Sequence, residues 1–183
     1  MNSQNIGGRI RTMRQQRGIS LDQLAERTGL TKSYLSKVER SLSVPSISTA
    51  LKVADSFAVT VGQLLGQEQE PDAICVVHKK DRKRFMRDGS AAGYNYELIA
   101  AAKQYKSMEP FIMRPPLEFQ DDRLFEHMGE EFIFVLTGSI EVEFPNRRVA
   151  LQIGDAVYFD SHIPHRTRSV GKAIAETLVV IKK

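Results

Sequence analysis

The chain has 183 residues, with 26 Lys and Arg against 22 Asp and Glu, one Cys and no Trp, for a formal net charge of +4. At 42% hydrophobic and 26% charged residues it has a globular composition, which excludes a disordered chain of low hydrophobicity. No apolar run approaches the roughly 20 residues of a membrane helix, the polar N-terminus MNSQNIGGRIRTMRQQRG lacks a secretory core, and a lone Cys75 excludes an internal disulfide or a Cys-based zinc site; the expected compartment is the cytoplasm.

Charge is unevenly spread. Residues 1–66 carry nine basic and four acidic groups, 9 − 4 = +5; residues 67–90 carry six and five, +1; residues 91–183 carry eleven and thirteen, −2. The excess positive charge at the front suggests a polyanionic partner for that part.

From Ile6 to Leu65 the apolar residues recur at helical spacing, and five short helices are expected. Gly18 ends the first. Ser20 opens the second, with Gln23 completing a capping box, and Gly29 breaks it. Thr31, Ser46 and Thr60 cap the third, fourth and fifth. The stretch GQEQEPD (66–72) is polar and ends in Pro71, as a linker does. Beyond it the period falls to 2, and strands are expected over 73–78, 94–100, 110–113, 131–137, 139–144, 147–151, 155–159, 166–170 and 173–181. Many short strands imply a sandwich or barrel. The basic cluster HKKDRKRFMRDGS (78–90) reads as an exposed loop or as a second patch facing phosphate.

The segment SLDQLAERTGLTKSYLSKVERS pairs a capped helix, a turn glycine and a second helix whose Leu35 and Val38 face inward while polar groups face out. That is a helix-turn-helix arrangement, whose second helix fits a major groove. Lys32, Ser33, Ser36 and Lys37 are its outward positions, with Tyr34 at the flank. Lys and Ser can address base edges, whereas Arg40 and Ser41 at the far end suit phosphate. Residues 5–66, and above all LAERTGLTKSYLSKVERSLSVPSISTALKVADSF, resemble the lambda-repressor-like five-helix DNA-binding domain of XRE-type bacterial regulators. The resemblance implies Lys32, Ser33 and Lys37 as base readers, with Thr31, Tyr34, Arg40 and Ser41 as backbone contacts or supports. It departs at Leu21, where members often carry Gln for a phosphate contact.

Downstream, His127, Glu131 and His165 form a second constellation. Residues 127 and 131 differ by an even number and so project to one face of an extended chain, with Glu126 and Glu130 on the other. Two imidazoles and a carboxylate suit Fe(II), and less selectively Zn, Mn or Ni; a structural His pair is the alternative. The segment resembles the two motifs of the cupin family, a small β-barrel. His127, Glu131 and Gly138 match the first, with Phe125 in place of its usual first His. Gly154, Pro164 and His165 match the second, although Asp160-Ser161-His162 replaces its Pro-x-Gly. The resemblance implies three of four metal ligands, so metal occupancy stays open. The apolar Phe125 also suits a ligand cavity, for which Tyr96, Phe111, Arg114, Phe125, Phe134 and Tyr158 are candidates, with Arg114 able to hold a carboxylate.

The expected architecture is thus a two-domain α+β chain: a helix-turn-helix domain over 1–66, a linker over 67–72 and a cupin β-barrel sensor over 73–183. Resemblance to the XRE–cupin class implies a homodimeric transcriptional regulator and not an enzyme. It would bind an operator in double-stranded DNA, act as a repressor, and respond to a small-molecule effector such as an amino acid, amine or peptide. The alternative is a metal-dependent cupin enzyme, a dioxygenase or isomerase, with an accessory helical domain.

Overall fold

The computed structural model describes residues 6–66, 74–85, 93–103 and 106–182. The chain divides into two compact units, one formed by Met1–Cys75 with Ala101–Tyr105, the other by Val76–Ala100 with Lys106–Lys183. The linker expected at 67–72 lies outside the described residues, as do 86–90 of the basic cluster.

In the first unit the local signals dictate five helices: α1 (Ile6–Gln16), α2 (Leu21–Thr28), α3 (Lys32–Glu39), α4 (Ile47–Ser56) and α5 (Val61–Leu64). Ser20 and Gln23 form the full capping box on α2, and Thr60 and Gln63 form another on α5. Thr31 and Ser46 accept from the backbone N–H of Tyr34 and Thr49. Each cap satisfies a donor the first helical turn would otherwise leave open, typically contributing about 1 kcal/mol. Gly29 closes α2 at φ 65°, a left-handed conformation that glycine adopts without the Cβ penalty. Ile10, Leu24, Leu35, Val53 and Leu64 are wholly buried, and burying each such side chain contributes about 1.5–3 kcal/mol. No helix among the described residues is long and apolar enough to cross a membrane.

The second unit is built of antiparallel strands: β1 (Lys83–Arg84), β2 (Asn95–Leu98), β3 (Met108–Arg114), β4 (Glu130–Thr137), β5 (Ser139–Phe144), β6 (Arg147–Gln152), β7 (Ala156–Asp160), β8 (Arg166–Ser169) and β9 (Glu176–Lys182). One sheet has the order β1-β2-β3-β9-β4-β7 and the other β6-β5-β8. Directly paired residues project to the same side of a sheet, so the register sorts the side chains. Glu131 pairs with Phe159 and Ile181, Ile133 with Val157 and Val179, Phe111 with Val179, and Met113 with Tyr96 and Thr177. This row is the interior face. It meets the other sheet where Phe159 packs edge-on against Phe144, ring centres 5.1 Å apart.

Two expectations need correction. No strand forms over residues 74–78: Ile74 and Val76 are each 70% exposed, so their period-2 pattern faces solvent, not a core. The basic cluster is not all loop, because Lys79–Asp81 is a short 3-10 turn and Lys83–Arg84 pairs with β2.

Candidate nucleic-acid interface and barrel site

Helix α3 divides cleanly. Leu35 and Val38 are buried, whereas Thr31, Lys32, Ser33, Lys37, Arg40 and Ser41 are exposed and Tyr34 and Ser36 half-buried. Thr31 is committed to its cap. The Tyr34 hydroxyl is 3.3 Å from Thr49 Oγ1, tying α3 to α4. Arg40 donates to the Ser36 carbonyl at 3.2 Å, and Ser41 sits at φ 60° as the chain leaves the helix. Lys32 Nζ donates to Asp22 Oδ2 at 2.8 Å, a pair exposed on both sides. Lys37 makes no ion pair among the described residues. Sequence reasoning missed Asp22, and it missed the buried pair beneath α3, in which Arg14 of α1 clasps Glu39. These partners lie ten and 25 residues apart, beyond any local motif.

In the barrel, His127, Glu131 and His165 come together. All three are buried, and their ligand atoms lie within 4.8 Å of one another. The even spacing of 127 and 131 is not the cause. β4 begins at Glu130, and His127 is carried to the site by a turn at Gly129, φ 97°. The His127 N–H donates to the Ser161 carbonyl at 3.0 Å, and the Ser161 N–H donates to Gly129 O at 3.0 Å. His165 is fixed by Phe125, the two exchanging N–H···O bonds of 2.7 and 2.9 Å. As a directly bonded pair they project to one side, which puts Phe125 at the position where the resemblance expects a fourth ligand.

The site is short of donors. His127 has Met128 O 3.2 Å from Nδ1 and Glu131 Oε2 3.0 Å from Nε2. His165 has Ile163 O 2.8 Å from Nδ1, and its Nε2 is 3.5 Å from the same carboxylate oxygen. At all four ring nitrogens the neighbour is an acceptor, yet a neutral imidazole has one N–H. With Nδ1–H given to the carbonyls, two lone pairs face a carboxylate, an arrangement that requires a ring proton or a cation. Burial pushes the Glu131 carboxyl up, but hydrogen bonds from His127 and His165 outweigh it and hold the pKa down at about 2. Burial pushes the His165 imidazole down, and Glu131 outweighs that, leaving it raised. The donor set therefore fits a divalent metal through Nε2 of each His and the Glu131 carboxylate, with the Met128 and Ile163 carbonyls orienting the rings at Nδ1.

Of the candidate cavity residues, Tyr96 and Phe111 are buried on the interior face, in edge contact at 5.4 Å. Tyr94 stacks on Tyr96 at 5.9 Å and meets Phe125 edge-on at 5.7 Å, so an aromatic run ends at Phe125, the backbone partner of His165. Arg114, Phe134 and Tyr158 do not line the interior. Arg114 pairs with Asn95, Phe134 with Leu178, and Tyr158 with Phe132, all on the outer face, and Arg114 is taken up by Glu97 and Glu176. Sequence reasoning missed Tyr94, which the period-2 spacing from Tyr96 could have found. It also missed Ser161, fully buried with an Oγ that has no hydrogen-bond partner among the described residues. A lone Ser in a turn carries no such signal.

Comparison with known proteins gives a helix-turn-helix family match over residues 10–64 and a cupin-domain match over 115–181. The regulator SinR of Bacillus licheniformis is 44% identical over 89 residues, 48% of this chain and 79% of its own. PuuR of Escherichia coli, also an HTH-type transcriptional regulator, is 25% identical over 94% of this chain and 91% of its own. A solved HTH_3-family regulator from Vibrio cholerae superposes with a TM-score of 0.66 at 23% identity, covering 99% of this chain and 97% of its own. Over 48% of each chain there is also 28% identity to an (S)-2-hydroxypropylphosphonic acid epoxidase of Streptomyces wedmorensis. The chain belongs to the XRE-type helix-turn-helix family of transcriptional regulators, and carries a cupin domain after its DNA-binding one.

Proposed function

We propose that the chain acts as a cytoplasmic, homodimeric repressor that reads an operator through α3 and is tuned by a small effector bound in the barrel. The carrying observation is the two-sided character of α3, with Leu35 and Val38 buried and Lys32, Ser33 and Lys37 exposed. Lys32, Ser33 and Lys37 take the role of base readers, with Ser36 on the same outward side, and Thr31, Tyr34, Arg40 and Ser41 are backbone contacts or supports of the helix. Such a helix covers few base pairs, and two half-sites about 34–36 Å apart supply the remaining specificity.

The buried His127, Glu131 and His165 beside an aromatic wall and the unpartnered Ser161 hydroxyl support an effector site with a few placed polar groups. An amino acid, amine or peptide fragment has the matching chemistry. A metal held by the three side chains would offer a Lewis-acidic position for an effector oxygen or nitrogen. An effector shifts operator affinity only by its differential affinity for the two states, typically about 1–3 kcal/mol.

The test is selection of bound duplexes from a randomised pool, followed by titration of the winning sequence with wild type and Lys37→Ala. Loss of about 1–3 kcal/mol on the selected site with relaxed base choice is expected. Equal loss on every sequence would reduce Lys37 to a phosphate contact, and failure to enrich any sequence would defeat the reading. The His/Glu/His cluster and the epoxidase likeness favour one rival, a cupin enzyme. It requires turnover that disappears in His165→Ala, whereas the regulator reading expects loss of effector or metal response and no turnover.

A further inference from the structure

Outside the α3 face, the barrel unit carries a concentrated set of free positive charges. Lys79 and Lys80 lie on the 3-10 turn, Lys83 and Arg84 on β1, and all four are exposed. None makes an ion pair among the described residues, and the only acid within Lys79–Arg84 is the exposed Asp81. Most other cations of this unit are neutralised: Arg114 by Glu97 and Glu176, Arg148 and Arg166 by Glu143, Arg168 by Glu141, Lys182 by Glu130, and Arg123 by Asp121.

The segment is also anchored. Arg82, in the middle of the run, is half-buried and turns to Glu97 at 3.6 Å, a carboxylate that Arg114 holds at 3.1 Å. The four free cations are therefore displayed from a fixed backbone.

We propose that Lys79, Lys80, Lys83 and Arg84 form a second phosphate-contacting strip that grips the duplex α3 reads. The proposal rests on the DNA-binding reading above. A polyanion of high linear charge density, one charge per about 1.7 Å of duplex axis, suits closely spaced point charges, which position a protein on DNA without reading bases. Lys79 follows Gly66, the last described residue of the α5 region, by 79 − 66 = 13 residues. The second contact is thus intramolecular once α3 has bound, and adds affinity by raised effective concentration. Protection of an exposed sheet edge explains lysine on β1, but it leaves Lys79 and Lys80 on the turn without a role.

The test uses the full chain and a labelled random-sequence duplex several helical turns long, with affinity followed against KCl concentration. Each phosphate contact contributes about 0.9 to the slope of log affinity against log salt. In K79Q/K80Q/K83Q/R84Q the slope is expected to fall by about 2–4, and in K79Q/K80Q, which leaves β1 intact, by about half as much. The control K172Q/R147Q removes two exposed charges elsewhere on the unit and is expected to change the slope by less than about 1. An unchanged slope in both strip variants overturns the strip alone, as does an equal fall in the control. A wild type without salt-dependent binding defeats the DNA-binding reading and the strip with it.

Discussion

Arg14 on α1 holds Glu39 on α3 in a two-pronged ion pair, Nε to Oε1 at 2.7 Å and Nη2 to Oε2 at 2.9 Å, with side chains 14% and 5% exposed. A third guanidinium bond, 2.9 Å to the Ile19 carbonyl, fixes the same Arg to the entry of α2. The buried charge is thus satisfied on both sides, and the helix bearing the exposed Lys32, Ser33 and Lys37 is pinned from behind. Arg14→Met leaves the carboxylate stranded and is expected to destabilise the helical unit by about 3–5 kcal/mol. Because an apolar pair of similar volume often replaces a buried ion pair at little cost, R14M/E39M is expected to recover most of that loss. Urea unfolding followed by helical circular dichroism decides it; a single variant within about 1 kcal/mol of wild type would show that the pair holds nothing.

Lys32 lies on the exposed side of α3 and is tied to Asp22 of α2. To touch a base edge it must leave that carboxylate, and Asp22 itself repels phosphate. An exposed pair contributes only about 0.2–1 kcal/mol, so Asp22→Asn is expected to tighten DNA binding by about 1.5- to 5-fold, with a matching slower dissociation. Fluorescence anisotropy at fixed salt measures it. Weaker binding would mean that Asp22 orients Lys32 for contact instead of holding it back.

The helical unit was legible because its determinants are local: Ser20 with Gln23, Thr31, Ser46 and Thr60 each act within three residues, and Gly29 needs only its own φ. Strands β4 to β9 were legible for the same reason, their alternation being written in consecutive residues. What failed depended on pairing. The alternation around Ile74 and Val76 looks like a strand but leaves both side chains 70% exposed and forms none, while Lys83–Arg84 looks like a loop and is a strand because β2 accepts it. Phe134, Tyr158 and Arg114 are typical cavity residues in isolation, and only the register of β4, β7 and β3 sends them outward. His127 and Glu131 converge as their motif suggests, through a turn and not along a strand.

Phe125 occupies the position where a fourth donor would complete the barrel site, and its exchange of hydrogen bonds with His165 sends both side chains the same way. Phe125→His is therefore expected to turn a three-donor cluster into a four-donor one of the kind structural zinc prefers. Competition against a chromogenic chelator is expected to show zinc binding tightened about tenfold or more, about 1.4 kcal/mol. The same titration on Glu131→Gln is expected to show binding lost. Equal affinity in wild type and Phe125→His would place the metal, or the 125 side chain, away from this cluster.

The acid limit of the barrel follows from Glu143 on β5, which accepts from Arg166 Nε at 2.6 Å and Arg148 Nη2 at 2.9 Å. The Arg166 hydrogen bond is the main reason its carboxyl lies below the usual range; burial acts the other way, and Arg148 adds to the lowering. A carboxyl whose folded pKa is depressed adds stability that is complete above its unfolded value, about 4.3, and is lost as pH falls through the folded value. Glu143→Gln is thus expected to lower the melting temperature at neutral pH by about 2–4 °C, on the order of a single partly exposed charged pair. Wild type and variant should then converge as the pH is taken below 4.3, because protonated Glu143 no longer distinguishes them. Calorimetric scans across that range carry the decision: a gap that stays constant or widens in acid would mean that the Gln disturbs packing around β5, β6 and β8 and that the charge on Glu143 contributes nothing.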